Sequence, residues 1–436
     1  MKKKWGGDRL NLNWHNTLKI LDTYTQYRHF QILFDKFNLK KRSSRDDMVK
    51  VLQDTVTNVG LLGPIIPESF LEEWLALHQI DGNNYTYVYN LQESINKETL
   101  EGLYNNRKNL VSMKLWEIDP NNESEDISQV MTNLNDITLT GIHRNELNGS
   151  YVFSFVSPCE VSSSRQDGSN RIYKKIFFSH FVCFDNVNDC KIIFNPTSNL
   201  LNVNGVRKDK RHDWTPIANM IFEKVKEYIG EVYIKAPTWI PQALYELAED
   251  ATSHNNPKIT AASFNAQSKI VDFATKLLKE ADIDTDNEPA LVNRLIQDIQ
   301  LSFEVQLLEN YGPSDDDEEN SFTIFKQRSD GVTHIISVES TEDGFTSGPA
   351  AQAAKRSRQD GDIDLLGVNL KKGDRVHKFL VEQGRDAYLI RGTNTFIEEE
   401  VVNIVIRRLN QYREQIQVAT GNNTENPEGT SVTQAK

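Results

Sequence analysis

Tyr151-Val152-Phe153-Ser154-Phe155-Val156-Ser157-Pro158-Cys159-Glu160-Val161, followed shortly by Ile172-Tyr173-Lys174-Lys175-Ile176-Phe177-Phe178-Ser179-His180-Phe181-Val182-Cys183-Phe184, decides the fold. Both runs are dense in Val, Ile, Phe and Tyr, the side chains that fit a pleated, half-buried surface. Ile137–Ile142 precedes them and Lys191–Phe194 follows. Asn148-Gly149, Asp167-Gly168 and Asn188-Asp189 lie between the runs as turn signals. Four strands joined this way predict an antiparallel meander. Helical periodicity then takes over at Thr215–Ile229, Pro241–Ser253, Ala262–Glu280 and Pro289–Asn310, with Pro241 and Pro289 at first-turn positions. A sheet followed by helices within residues 136–312 predicts an α+β fold.

Upstream, residues 1–80 predict a small basic helical module. Leu18, Leu21, Tyr24, Phe30, Leu33, Phe34 and Phe37 recur at spacings of three and four, an apolar stripe on a helix face. Ser44 before Asp46-Asp47 predicts a capped helix through about Val56, broken by Gly60-Leu61-Leu62-Gly63-Pro64. A third helix is expected over Glu68–Gln79. Residues 81–135 predict a connector, with a short amphipathic edge strand at Tyr85–Tyr89 and one helix over Ile95–Ile118.

Downstream, Pro313-Ser314-Asp315-Asp316-Asp317-Glu318-Glu319-Asn320 reads as a solvated acidic linker over 313–321, the expected domain boundary. A smaller α/β domain over 322–417 should contain strands at Phe322–Lys326, Val332–Val338, Ile363–Val368, Val376–Val381 and Ala387–Ile390, and a helix at Phe396–Ile416. The polar segment Thr341–Asp360 predicts a mobile connector, and residues 418–436 a disordered tail.

Charge is sorted along the chain. The first fifty residues carry twelve Lys or Arg against five Asp, a balance of +7, so the other 386 residues carry −20 of the total −13. Any contact with a polyanion is therefore expected to be local, since a phosphate-binding face needs clustered positive charge. The acidic remainder suits protein partners. No apolar run reaches the length of a membrane-spanning helix. Three sparse cysteines fit a reducing compartment, so a cytoplasmic location, or a nuclear one in a eukaryotic host, is expected.

Within the basic region, Phe37-Asn38-Leu39-Lys40-Lys41-Arg42-Ser43-Ser44-Arg45-Asp46-Asp47-Met48-Val49-Lys50-Val51-Leu52 reads as a helix end, a basic turn and a helix start. Residues 28–57 resemble the SAP-type helix-extended-helix motif, with Leu39, Arg45, Met48, Val49 and Leu52 in register. Asn38 and Ser43 replace the glycines usual in that family, and Val51 replaces a frequent basic residue. The resemblance implies contact with the double-stranded DNA backbone at low sequence specificity. Lys40, Lys41, Arg42 and Arg45 would meet phosphate oxygens together with helix-start amides, and Lys50 would extend the face. The competing reading is an ordinary charged surface turn.

Four further groups are candidates. Asp362 and Asp364 at alternate strand positions, joined by Glu339, would make a Mg²⁺-dependent nuclease site, whereas the DNA-contact reading needs no cofactor. His180, Cys183, Cys190 and Cys159 suggest zinc, but strand residues three apart point to opposite faces, which favours buried thiols. Lys355-Arg356-Ser357-Arg358 would be a second phosphate contact or an import signal. Tyr85, Tyr87 and Tyr89 would stack on bases if exposed. No Gly-rich phosphate loop, dinucleotide fingerprint, His-Glu-x-x-His or nucleophile elbow is present. The expectation is a non-catalytic DNA-associated adaptor, with the nuclease or a pure interaction scaffold as alternatives.

Overall fold

The computed structural model describes residues 13–57, 64–119, 133–146, 148–164, 170–184, 187–210, 213–252, 256–311, 321–331, 335–340, 345, 348–393 and 396–422. Lys2–Lys4, the break at Gly60–Gly63, the Asp167-Gly168 turn, the acidic run Pro313–Asn320 and the tail beyond Asn422 lie outside them. The fold is α+β, built as two compact units: Met1–Ala236 with Arg385–Glu400, and Pro237–Gly384 with Val401–Lys436. The division falls after Ala236 and not at the acidic run. Packing decides it, because the helix that follows Pro237 lies on the C-terminal strands and not on the meander.

The first unit begins with α1 (Trp14–Tyr24), α2 (Tyr27–Lys36), α3 (Arg45–Thr57) and α4 (Glu68–Leu77). After β1 (Tyr85–Leu91), the helix expected over Ile95–Ile118 is broken into α5 (Lys97–Asn105), α6 (Arg107–Leu110) and a 3₁₀ turn at Leu115–Glu117. Asn105 and Asn106 are poor helix-interior residues, and the first helix ends there, with Asn106 outside helical conformation as its C-cap. The meander forms as β2 (Thr138–Asn145), β3 (Ser150–Ser164), β4 (Asn170–Phe184) and β5 (Asp189–Phe194). β6 (Leu200–Val203), α7 (Thr215–Ile229) and β7 (Ile234–Lys235) follow, and Gly230 ends α7 at φ +85°, a conformation that suits glycine. The antiparallel order is β2-β3-β4-β5-β1-β12, where β12 is Tyr388–Gly392, with β6 paired to β3 and β7 to β1.

This sheet is covered on both faces. Phe153, Phe155, Cys159 and Val161 of β3 join a core with Ile217, Ile221, Phe222 and Val225 of α7. Val156 of β3, with Ile176 and Phe178 of β4, instead joins Ile20, Phe30, Phe34, Met48, Leu52, Leu71 and Leu75 of α1–α4. Double coverage explains why the deciding runs are almost continuously apolar. It also corrects Tyr85–Tyr89: β1 is hydrogen-bonded to β5 on one side and β12 on the other, a central and not an edge strand.

In the second unit β8 (Phe322–Gly331), β9 (Ile335–Glu339), β10 (Gly361–Lys372) and β11 (Arg375–Glu382) form an antiparallel sheet in the order β11-β10-β8-β9. α8 (Ile240–Thr252) packs on β10 and β8, and α9 (Pro257–Glu280) pairs with α10 (Pro289–Tyr311). Gly348–Asp360, expected to be a mobile connector, is helix α11, since Pro349 opens an alanine-rich run whose Ala354 is fully buried. α12 (Glu399–Asn422) closes the described chain. Among the described residues no helix is long and apolar enough to cross a membrane.

Candidate nucleic-acid interface

The basic turn joins α2 to α3 as a helix-extended-helix arrangement. Asn38 leaves α2 in the left-handed region at φ +52°, a conformation in which asparagine substitutes for glycine better than other side chains. The Leu39 amide closes the turn by donating to the Phe34 carbonyl at 2.8 Å. Ser44 then caps α3: its Oγ accepts from the Asp47 amide at 3.1 Å and donates to Asp47 Oδ2 at 2.8 Å. Met48 and Leu52 are fully buried beneath it. The intervening segment is tied down by the Tyr27 hydroxyl donating to the Arg42 carbonyl and by the Arg42 amide donating to Met48 Sδ at 3.3 Å.

Along this segment Lys40, Lys41 and Arg42 are consecutive and exposed. Lys41 pairs with Asp35 at 2.6 Å, Arg45 with Asp22 at 2.7 Å, and Lys50 reaches Asp47 at 3.9 Å. Among the described residues no carboxylate pairs with Lys40 or Arg42. Counting Asp22, Asp35, Asp46 and Asp47 against the five expected contact residues leaves a local balance of only +1. Two expectations change as a result. Arg45 is committed to Asp22, away from the row of three. The α3 amides are served by Ser44 and screened by Asp46 and Asp47, so they do not offer phosphate an open helix start.

The acidic cluster is dispersed. A bulge between Ile363 and Leu365 sets Asp364 out of the simple alternation that would align it with Asp362. Asp364 accepts from Arg328 Nε at 2.9 Å through both oxygens, and Arg328 also reaches Glu382 at 3.0 Å. Glu339 is paired with Lys326 at 2.6 Å. Among the described residues no three His, Cys, Asp or Glu side chains converge in a way that would hold a metal. The geometry expected of the Mg²⁺ site is therefore missing.

The other candidates are structural. His180 shares Ser154 as a partner across β3 and β4 (Oγ to Nδ1, 3.1 Å), and burial lowers its pKa to about 3. Cys183 stands opposite Cys190, all three thiols are free and buried, and burial pushes Cys159 up to about 12. In α11, Arg358 is buried against Glu249 at 3.0 Å and Thr252 at 3.0 Å, and Arg356 reaches Asp298 at 3.6 Å, so the basic tetrad is largely committed to its own unit. Tyr87 and Tyr89 are buried; Tyr87 accepts from the Trp214 amide and Tyr89 lies stacked on Phe222.

Two features were not anticipated from sequence. Lys191, followed in β5 by the apolar run Ile192-Ile193-Phe194, is buried with its ammonium on Glu399, whose amide donates to Asp81 Oδ1 at 2.8 Å. His29 accepts from the Gln26 amide at Nδ1 (3.0 Å) and donates through Nε2 to the Asp81 carbonyl at 2.9 Å, and His78 meets Thr25 at 3.1 Å. The only advance signal was a lysine in a run that reads as buried. The second feature is a pocket at the end of α1, invisible in sequence because its lining comes from six separate stretches of the chain. No family model, curated protein or solved structure matches this chain.

Proposed function

We propose that this protein is a non-catalytic, DNA-associated adaptor that touches the duplex backbone through Lys40, Lys41 and Arg42, while its acidic surface meets protein partners. One observation carries the reading: the extended segment between α2 and α3 holds three consecutive cations exposed, with Lys40 and Arg42 clear of any carboxylate among the described residues. An exposed pair such as Lys41–Asp35 is worth about 0–1 kcal/mol, so phosphate can displace Asp35 at little cost. Backbone contacts of this kind position a protein without reading bases, and sequence discrimination should be slight. The test is fluorescence anisotropy with a labelled duplex of arbitrary sequence at low salt. Binding that survives intact in the Lys40→Ala/Lys41→Ala/Arg42→Ala protein removes the proposal, as does a wild-type protein that fails to bind.

A further inference from the structure

The pocket in the first unit has a volume of about 580 Å³, within the range of roughly 300–1,000 Å³ usual for small-ligand sites. It exists because β4 outruns β5. Every residue of β4 is paired to β3, but β5 covers only Ser179–Cys183, so the opposite edge over Asn170–Phe178 meets no strand among the described residues. The junction of α1 and α2 and the segment following β5 wall off that edge.

Its chemistry is one-sided. Ile176 and Phe178 line it from the α1–α4 face of the sheet and Val161 and Leu200 from the α7 face, and Tyr24 stands edge-on to Phe178 with ring centroids 5.2 Å apart. Arg45, Lys175 and Asn195 bring two cations and an amide that both donates and accepts. Among the described residues that line it there is no Asp or Glu, in a chain with 62 of them and a net charge of −13. Among the described residues no carboxylate pairs with Lys175, while Arg45 is shared with Asp22. A peptide adding itself to the β4 edge is disfavoured, because the Ile176 amide that such a strand would use already donates to the Tyr24 hydroxyl at 2.9 Å.

We propose that this pocket binds a nucleoside monophosphate, with the base over the Phe178 and Tyr24 wall, Asn195 on its polar edge, and the phosphate between Lys175 and Arg45. An aromatic wall beside a pair of cations and an uncommitted amide is the combination such a ligand needs. Asp22 sets the strength of the site by competing for Arg45. The pocket is independent of the duplex contact, since none of Lys40, Lys41 and Arg42 lines it.

Isothermal titration of the full chain with AMP, CMP, GMP and UMP, against adenosine and inorganic phosphate, tests this. At least one monophosphate should bind saturably, with both the free nucleoside and phosphate alone at least about ten-fold weaker, the scale of a lost charge-assisted contact. Lys175→Gln should weaken the monophosphate at least about ten-fold, and Asp22→Asn should tighten it by freeing Arg45. Thr197→Trp, an exposed change at the mouth, should block it in a protein that stays folded. The Lys40→Ala/Lys41→Ala/Arg42→Ala protein should bind the monophosphate as the wild type does. No monophosphate binding at about 10 mM, phosphate alone binding as tightly, or indifference to both Lys175→Gln and Thr197→Trp would overturn the proposal.

Discussion

Replacing Asp81 by Asn should stabilise the protein, and by an amount that grows with pH. Burial raises the Asp81 carboxyl from 3.8 to about 7, with the neighbouring charges of Glu399 and Glu398 adding to the rise; the Glu399 amide and Arg28 pull the other way. A raised carboxyl binds its proton more tightly in the folded chain than in the unfolded one. The associated stability is therefore complete below about pH 3.8 and is lost as pH rises through about 7. Moving a carboxyl over that range corresponds to about 4 kcal/mol, and water reaching this partly exposed side chain reduces the figure to about 2. Asparagine mimics the protonated form and its Oδ1 keeps the Glu399 amide. Urea denaturation of both proteins from pH 4 to pH 8 should show curves that coincide near pH 4 and separate by about 2 kcal/mol at pH 8. The lowered His29, at about 4, affects both proteins equally and drops out of the difference. A difference that is constant with pH, or a variant less stable at pH 8, would refute the reasoning.

Substitutions at two other places probe the frame. Removing one partner of the buried Lys191–Glu399 pair should cost about 3–5 kcal/mol, whereas Lys191→Met with Glu399→Leu together should recover most of it; chemical denaturation of the two single variants and the double variant gives the coupling. Asn38→Ala should cost about 1 kcal/mol and Asn38→Gly a few tenths or less, because only the left-handed backbone at φ +52° is at stake; thermal melting separates the two.

How much of this was legible in the sequence depends on where the information sits. The meander and α7 stand close to their expected bounds because β-rich runs between turn residues, and an amphipathic run ended by Gly230, are local signals. The Ser44 cap of α3 was legible for the same reason. The central position of β1 was not, since strand order depends on pairing with the distant β12. Alanine-rich α11 was obscured by its charged residues, of which Arg358 turns inward to Glu249. At the candidate interface, the cations were visible in sequence but their neutralisation was not: Asp22 lies 23 residues from Arg45 and meets it only because α1 and α3 are neighbours.

The salt dependence of duplex binding tests the central claim most directly. With Lys40, Lys41 and Arg42 each neutralising one phosphate, log K should fall against log salt with a slope of about −2.7, taking roughly −0.9 per contact, and the slope should be the same for unrelated duplex sequences. A slope near zero, or one unchanged when all three residues are replaced by Ala, would contradict it.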